Sequence, residues 1–314
     1  MAPRAVVFAY HDVGVRCLSV LLARGFEVPL VLTHPDDSRE AIWFASVERL
    51  ARDNGIPVAM PGAGDLATLV PRIAGLAPDF LFSFYYRHMV PPAMLALARR
   101  GAYNMHGSLL PRYRGRVPVN WAVLKGERET GATLHEMVEK PDAGGIVGQM
   151  TVPILPDDRA IEVFRKVTVA AELVLDRALP GLLDGTAHVV PQDLAAGSYF
   201  GGRRPEDGRI DWRQGARAIH DLVRAVAPPY PGAFTTLPGD TRLRVLRSRV
   251  LEDGRGGAGT TPSIEVDAGG RLVARCADGG RLAILEAELA GAPAGAAAFV
   301  DRYGHESVRP GETA

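Results

Sequence analysis

The sequence predicts an α/β protein with a mostly parallel sheet, followed by a smaller β-barrel. Three observations predict it. From residue 5 to about residue 183, short apolar runs alternate with stretches of helical spacing, the pattern of a parallel sheet covered on both faces. The segment Gly197 to Gly208 is rich in Gly, Pro and charge, and it reads as a linker or gating loop. Beyond it, apart from one further helix, the chain becomes short β-like runs separated by Gly and Asp turns.

The elements follow in order. Ala5 to Tyr10 is a strand-sized apolar run that breaks at Gly14, and Leu18, Leu21 and Leu22 then keep helical spacing up to Gly25, giving strand, loop and helix. The pattern returns as a strand over Val28 to Thr33, a helix from about Ala45 to Asn54, a short strand at Val58 to Met60 and a helix from about Leu66 to Leu76. Phe80 to Phe84 is the next strand, a short helix follows Pro92, and Ala102 to His106 is another strand. Ile146 to Ile154 reads as a strand. Val163, Val167, Ala170 and Val174 place a long helix over about Ala160 to Leu183, closed by Gly185. A helix near Ala216 to Val226 precedes β-like runs at Leu243 to Leu246, Ser263 to Val266, Leu272 to Arg275 and Leu282 to Leu285. The Gly/Ala-rich stretch Ala290 to Ala298 carries no clear periodicity, and the last ten residues read as a disordered tail.

Composition narrows the function classes. With 36 basic and 36 acidic residues the formal net charge is zero, so no global field steers the chain toward nucleic acid or an anionic membrane. A small-molecule partner is expected. Cys17 and Cys276 are too few for a disulfide scaffold or zinc site. The N-terminus enters a strand rather than a signal peptide, and no apolar run reaches the roughly 18 to 20 residues of a membrane helix. A cytoplasmic enzyme with no membrane span is expected, and oligomeric state is open.

The chemistry concentrates in Asn104-Met105-His106-Gly107-Ser108-Leu109-Leu110-Pro111 and in Asp142. Asn104 and His106, two apart on a strand, point to one face and can address one reacting atom. Asn offers a neutral oxyanion donor, His exchanges protons near neutral pH, and a carboxylate from a later turn can orient the imidazole. This set suits acyl transfer without a covalent nucleophile. Gly107 offers ligand access to the backbone, and Arg112, Arg114 and Arg116 offer a clamp for a carboxylate or phosphate. Each has a structural alternative: a strand-end polar His, a solvated basic turn, and an Asp that starts the Ala143-Gly144-Gly145 turn. A competing constellation, His11-Asp12 with His34-Pro35-Asp36, offers weak divalent-metal ligation, and no metal is expected. Ser108 lacks the Gly-x-Ser-x-Gly elbow, and Tyr10 to Gly14 is not a dinucleotide fingerprint. Aromatics and Met in Phe84 to Val90 suit a flat heterocycle or ordinary core packing. Gly201 to Pro205, Arg224 and the Pro228 to Phe234 turn offer cations and a rigid aromatic corner, or merely organise loops.

Asn-x-His-Gly-Ser-Leu-Leu-Pro, the Tyr113-Arg114-Gly115-Arg116 turn and Asp142-Ala143-Gly144, in that order, resemble the 10-formyltetrahydrofolate-dependent formyltransferase family. The resemblance spans about residues 5 to 300. It implies a Rossmann-like catalytic domain over 1–200, an OB-fold-like domain over 201–305 and a tail over 306–314. It further implies that Asn104 stabilises an oxyanion, that His106 transfers a proton, and that Asp142 raises the imidazole pKa and helps remove the amine proton. His88, Met89, Val90, Arg116 and the stretch Val138, Glu139, Lys140, Pro141, Asp142 would form the folate site. Ser108, Arg204, Arg224 and Tyr230 are the expected acceptor contacts. Within the family, Val7 to Asp12, Ser83 to His88, Gly201 to Pro205 and Leu222 to Phe234 are similar to the domain acting on UDP-4-amino-4-deoxy-L-arabinose in lipid A modification and polymyxin resistance. At 314 residues the chain has no room for the dehydrogenase domain of the bifunctional form, so it is expected to formylate only. No Lys/Arg-rich insert follows the second strand, where the chain reads Pro35 to Ala41, and from Asp207 onward 14 basic residues balance 14 acidic ones. Both features argue against tRNA as acceptor. Other amino-sugar nucleotides, a folate-binding protein and a formyl-folate hydrolase are the alternatives.

Overall fold

A computed structural model describes residues 2–37, 42–254 and 259–311. The chain divides into two compact units. The first comprises residues 1–118, 129–153 and 164–201, and the second comprises 119–128, 154–163 and 202–314. The expected boundary at residue 200 therefore omits two short stretches, 119–128 and 154–163, that group with the second unit.

In chain order the elements are β1 (Arg4–Ala9), α1 (His11–Ala23), β2 (Glu27–Leu32), α2 (Val47–Asp53), β3 (Val58–Ala59), α3 (Val70–Gly75), β4 (Phe80–Phe84), α4 (Pro92–Leu95), β5 (Gly101–His106), β6 (Arg114–Gly115), α5 (Pro118–Leu124), β7 (Glu129–Glu136), β8 (Ile146–Pro153), α6 (Ala160–Asp184) and β9 (Tyr199–Phe200). A seven-stranded sheet runs β3-β2-β1-β4-β5-β7-β8. Its first five strands pair in parallel, whereas β5 with β7 and β7 with β8 are antiparallel. The mostly parallel α/β class holds.

Strands β1 and β4 are apolar throughout except for Arg4 and Ser83, because both of their faces are covered. Val6, Phe8, Leu30, Leu81 and Met94 form one core cluster. Gly14 does not break the first pattern. It lies inside α1, which starts at His11 with no loop, and a Cβ there would come within 2.9 Å of the Val47 side chain and 3.1 Å of Ala9. A close approach between α1, β1 and α2 is what requires the glycine. The helix expected over 66–76 is instead a 3-10 segment, Ala63–Leu69, followed by α3.

The second unit continues with α7 (Ala216–Val226), β10 (Ala233–Leu237), β11 (Thr241–Glu252), β12 (Ser263–Val266), β13 (Leu272–Arg275), β14 (Arg281–Leu289), β15 (Ala292–Ala294) and α8 (Ala296–Tyr303). Its antiparallel sheet runs β10-β11-β14-β13-β12 with β15 on β14, an open path rather than a closed ring, curled as a half-barrel. The Ala-rich stretch supplies β15 and α8, and Phe299 anchors α8 in the core. The expected tail is tied down as far as it is described. Val308 is buried and bridges Ile264, and the Gly311 N–H donates to the Thr236 carbonyl. Residues 312–314 lie outside the described residues, as do residues 38–41 of the segment Pro35 to Ala41. Among the described residues no helix is long and apolar enough to cross a membrane.

Candidate active site

The register between β5 and β7 builds the site. Asn104 lies opposite His135 and His106 opposite Thr133, so the period of two places all four side chains on one face of the sheet. The Asn104 amide donates to His135 Nε2 at 3.1 Å, while His135 Nδ1 lies 2.8 Å from the Glu136 carbonyl. That partner set assigns the His135 proton to Nδ1. Asn104 keeps its second N–H for another acceptor.

His106 is buried, with Nε2 2.8 Å from the Tyr113 carbonyl and Nδ1 3.5 Å from Asp142 Oδ1. The same carboxylate oxygen is 3.5 Å from His135 Nε2. Asp142 therefore faces both imidazoles. It sits at a left-handed φ of 52°, a conformation that Asp tolerates better than most residues. The Gly115 N–H donates to its Oδ2 at 2.8 Å, and Gln192 donates to the Asp142 and Gly144 carbonyls at 3.0 and 2.6 Å. Gly144 is needed in this turn, since a Cβ would strike the Glu136 carbonyl. Burial works against ionisation of Asp142. The His106 imidazole, then the Gly115 N–H, outweigh it and hold the carboxyl well below the usual carboxylate range.

The loop after His106 is stapled from beneath. The Thr133 hydroxyl donates to the Ser108 carbonyl at 2.6 Å, Gln149 donates to the Leu110 carbonyl at 2.8 Å, and the Leu110 N–H reaches Thr133 Oγ1. Four groups, the buried Thr133 and His135, the half-buried Gln192 and the exposed Gln149, thus support the site without having been singled out in the sequence. The Thr133-x-His135 alternation was their one legible signal.

Several expected contacts are placed differently. Ser108 is fully buried and its hydroxyl donates to the Arg112 carbonyl, so it supports the loop instead of meeting an acceptor. Gly107 does not open the backbone to a ligand, because the Tyr85 hydroxyl occupies the space a Cβ would fill. The three arginines do not converge. Arg114 is buried with Nη2 on the Leu194 carbonyl, Arg112 lies over the Tyr113 ring, and Arg116 is exposed. Val90 belongs to the core cluster, whereas Met89 and Val138 are exposed apolar side chains and His88 packs edge-on against His34. Glu139 and Lys140 are exposed, and Pro141 is half-buried.

In the second unit Arg224 is buried, paired with Asp221 at 2.7 Å and donating to the Asp158 carbonyl, so its charge is spent within the fold. Arg204 is exposed and its backbone N–H is capped by Asp207. Burial pushes the Tyr230 hydroxyl up to about 12, partly opposed by a hydrogen bond with Asn120. The alternative metal ligands are not assembled. His11 Nδ1 accepts from the Asp12 N–H, His34 Nε2 accepts from the Arg87 N–H, and Asp36 accepts from Tyr10.

Residues 46–179 match the family model described as formyl transferase, and residues 203–304 match its C-terminal domain. The chain belongs to the formyl transferase family. Among solved structures, the N-formyltransferase from Helicobacter canadensis in complex with folinic acid and dTDP-3-aminofucose is 20% identical with a TM-score of 0.69, covering 90% of this formyltransferase and 99% of that chain. WlaRD, a sugar 3N-formyl transferase solved in the presence of dTDP and 5-N-formyl-THF, is 18% identical with a TM-score of 0.69 over 90% and 97%. HypX from Aquifex aeolicus in complex with tetrahydrofolic acid is 19% identical with a TM-score of 0.62, and the match spans 91% of this formyltransferase but only 44% of HypX. At these identities the likeness is one of fold.

Proposed function

We propose that this formyltransferase moves the formyl group of 10-formyltetrahydrofolate onto the 4-amino group of UDP-4-amino-4-deoxy-L-arabinose. The observation that carries the reading is the single face bearing Asn104, His106 and His135 around the Asp142 carboxylate. The co-substrate supplies an activated formyl carbon. Asn104, with one N–H held by His135, directs the other at the oxygen that becomes negative when the unprotonated sugar amine attacks. One such preorganised donor is worth on the order of 100- to 1,000-fold. His106 and Asp142 then take the amine proton and return it to N10 as the oxyanion collapses, the formyl C–N10 bond breaks and tetrahydrofolate leaves, a positioned acid/base contribution of about 100- to 10,000-fold. Orientation of two bound substrates supplies the remainder.

Exposed Met89 and Val138, with His88 next to Met89 in sequence, suit the flat apolar face of a pterin. The amino-sugar class of acceptor draws support from the two sugar formyltransferases above, one solved with dTDP-3-aminofucose and the other with dTDP. The arabinose assignment draws on the segments Val7 to Asp12, Ser83 to His88 and Leu222 to Phe234.

The test follows tetrahydrofolate release from 10-formyltetrahydrofolate with the UDP-amino-arabinose, a dTDP-linked amino sugar, charged initiator tRNA or no acceptor. Release fastest with the UDP-amino-arabinose is the expected result. Preference for the dTDP sugar or tRNA would replace the acceptor, and release without acceptor would make the chain a hydrolase.

A further inference from the structure

Arg203 is a half-buried cation of the second unit that no carboxylate pairs among the described residues. Its guanidinium stacks over the Trp121 ring at 4.9 Å from the centroid, and it donates from Nη2 to the Asp207 carbonyl at 3.0 Å. That carbonyl is the single hydrogen-bond acceptor offered to its five N–H groups among the described residues. The Asp207 carboxylate does not pair with it directly, being used to accept the Arg204 backbone N–H at 2.8 Å. Burial accordingly holds the Arg203 pKa below its ordinary value, with the charge of Asp207 opposing.

Both halves of the pair are anchored. Trp121 follows Asn120, whose amide donates to the Ala225 carbonyl at 2.8 Å and whose side chain also bonds the Tyr230 hydroxyl. Arg203 opens the turn Arg204 to Gly208, which the Asp207 carboxylate closes. A half-buried guanidinium held flat on an indole, with its fork free of carboxylate, is prearranged for a tetrahedral or planar oxyanion. This differs from Arg224, neutralised by Asp221, and from Arg213, exposed and doubly bonded to Asp211.

We propose that Arg203 on Trp121 is a preformed oxyanion site that takes the phosphoanhydride of a nucleotide-linked acceptor. The choice of phosphoanhydride rests on the amino-sugar nucleotide reading above. The same chemistry would also greet the glutamate carboxylates of a folate, and the experiment separates the two.

The experiment is calorimetric titration of the full chain with UDP, with inorganic pyrophosphate and with tetrahydrofolate, for the wild type, Arg203→Ala, Arg203→Lys and the charge control Arg213→Ala. Arg203→Ala should weaken UDP and pyrophosphate binding about 10- to 100-fold, the value of one or two charge-assisted hydrogen bonds, and leave tetrahydrofolate unmoved. Arg203→Lys should fall between, because it keeps the charge and loses the planar fork. Arg213→Ala should match the wild type. In steady state the Arg203→Ala loss should appear in KM for the acceptor with kcat nearly kept. Equal UDP affinity in wild type and Arg203→Ala would overturn the site, as would a loss confined to tetrahydrofolate. If UDP binds through Arg203 while no amino sugar is formylated, the site stands and the arabinose reading falls. Should Arg203→Ala melt early, Arg203→Lys against Arg213→Ala carries the same comparison.

Discussion

Two pairs of histidines in the first unit show how surroundings decide what an imidazole can do. His11 stacks on Phe44 at 3.9 Å and lies edge-on to Trp43 and Phe164 at 4.5 and 4.7 Å. His34 stacks on Tyr86 at 4.2 Å. Burial, then the charge of Arg87, pushes His11 down to about 3, and burial, then His88 and Arg87, pushes His34 down to about 4. Both are held neutral and act as aromatic packing with one acceptor nitrogen. His106 and His135, buried at least as deeply, face carbonyls and a carboxylate. Burial alone therefore does not separate a structural histidine from a chemical one; the groups on its two nitrogens do.

The comparison can be broken most severely at His106. His106→Ala should lower kcat for formyl transfer about 100- to 10,000-fold with circular dichroism unchanged, whereas a His34→Gln protein should keep most of its turnover. Asn104→Ala follows, with an expected loss on the order of 100- to 1,000-fold in kcat, while folate affinity measured by titration stays near wild type. His135→Ala should cost roughly 10-fold, since it releases the Asn104 amide without removing it, and Asn104→Ala should mask that loss in the double variant. Additive losses would show that His135 acts apart from Asn104.

The smallest effects are on stability against pH, and the two regions should show different windows. A histidine with a lowered folded pKa makes the unfolded state the better proton acceptor, so stability falls as pH drops from 6.5 toward about 4 for His34. Asp142, whose folded pKa is depressed, contributes stability that is fully present above the ordinary carboxylate value of 3.8 and is lost as pH falls below it. Denaturant melts from pH 3 to 7 should show His34→Gln flattening the upper part of the profile and Asp142→Asn flattening the lower part. An unchanged upper slope in His34→Gln would remove the contrast.

Legibility followed the physics of each segment. Strand β4 is fully buried and apolar except for Ser83, and α7 has strong apolar periodicity, so both were readable to the residue. Strand β7 was not. Its buried positions Thr130, Gly131, Ala132 and Thr133 are small or polar, and Gly131 is there because a Cβ would strike the Met150 carbonyl on β8. His135 was hidden with that strand. Strand β10 was read as part of an aromatic turn, because Phe234 follows Pro231-Gly232 and its pairing with Arg244 lies on a later strand.

The amino-acid sequence by itself determined the class of the fold, the order of its main elements and the candidate reactive trio, because apolar periodicity and the spacing of Asn104 and His106 are local properties. Only the tertiary structure decided which polar groups are free to act. It buried Ser108 and neutralised Arg224, it set His135 against Asn104 through an antiparallel register, and it left Arg203 stacked on Trp121 with one acceptor among the described residues. Those outcomes depend on partners distant in sequence, whose pairing follows from packing and no local pattern encodes.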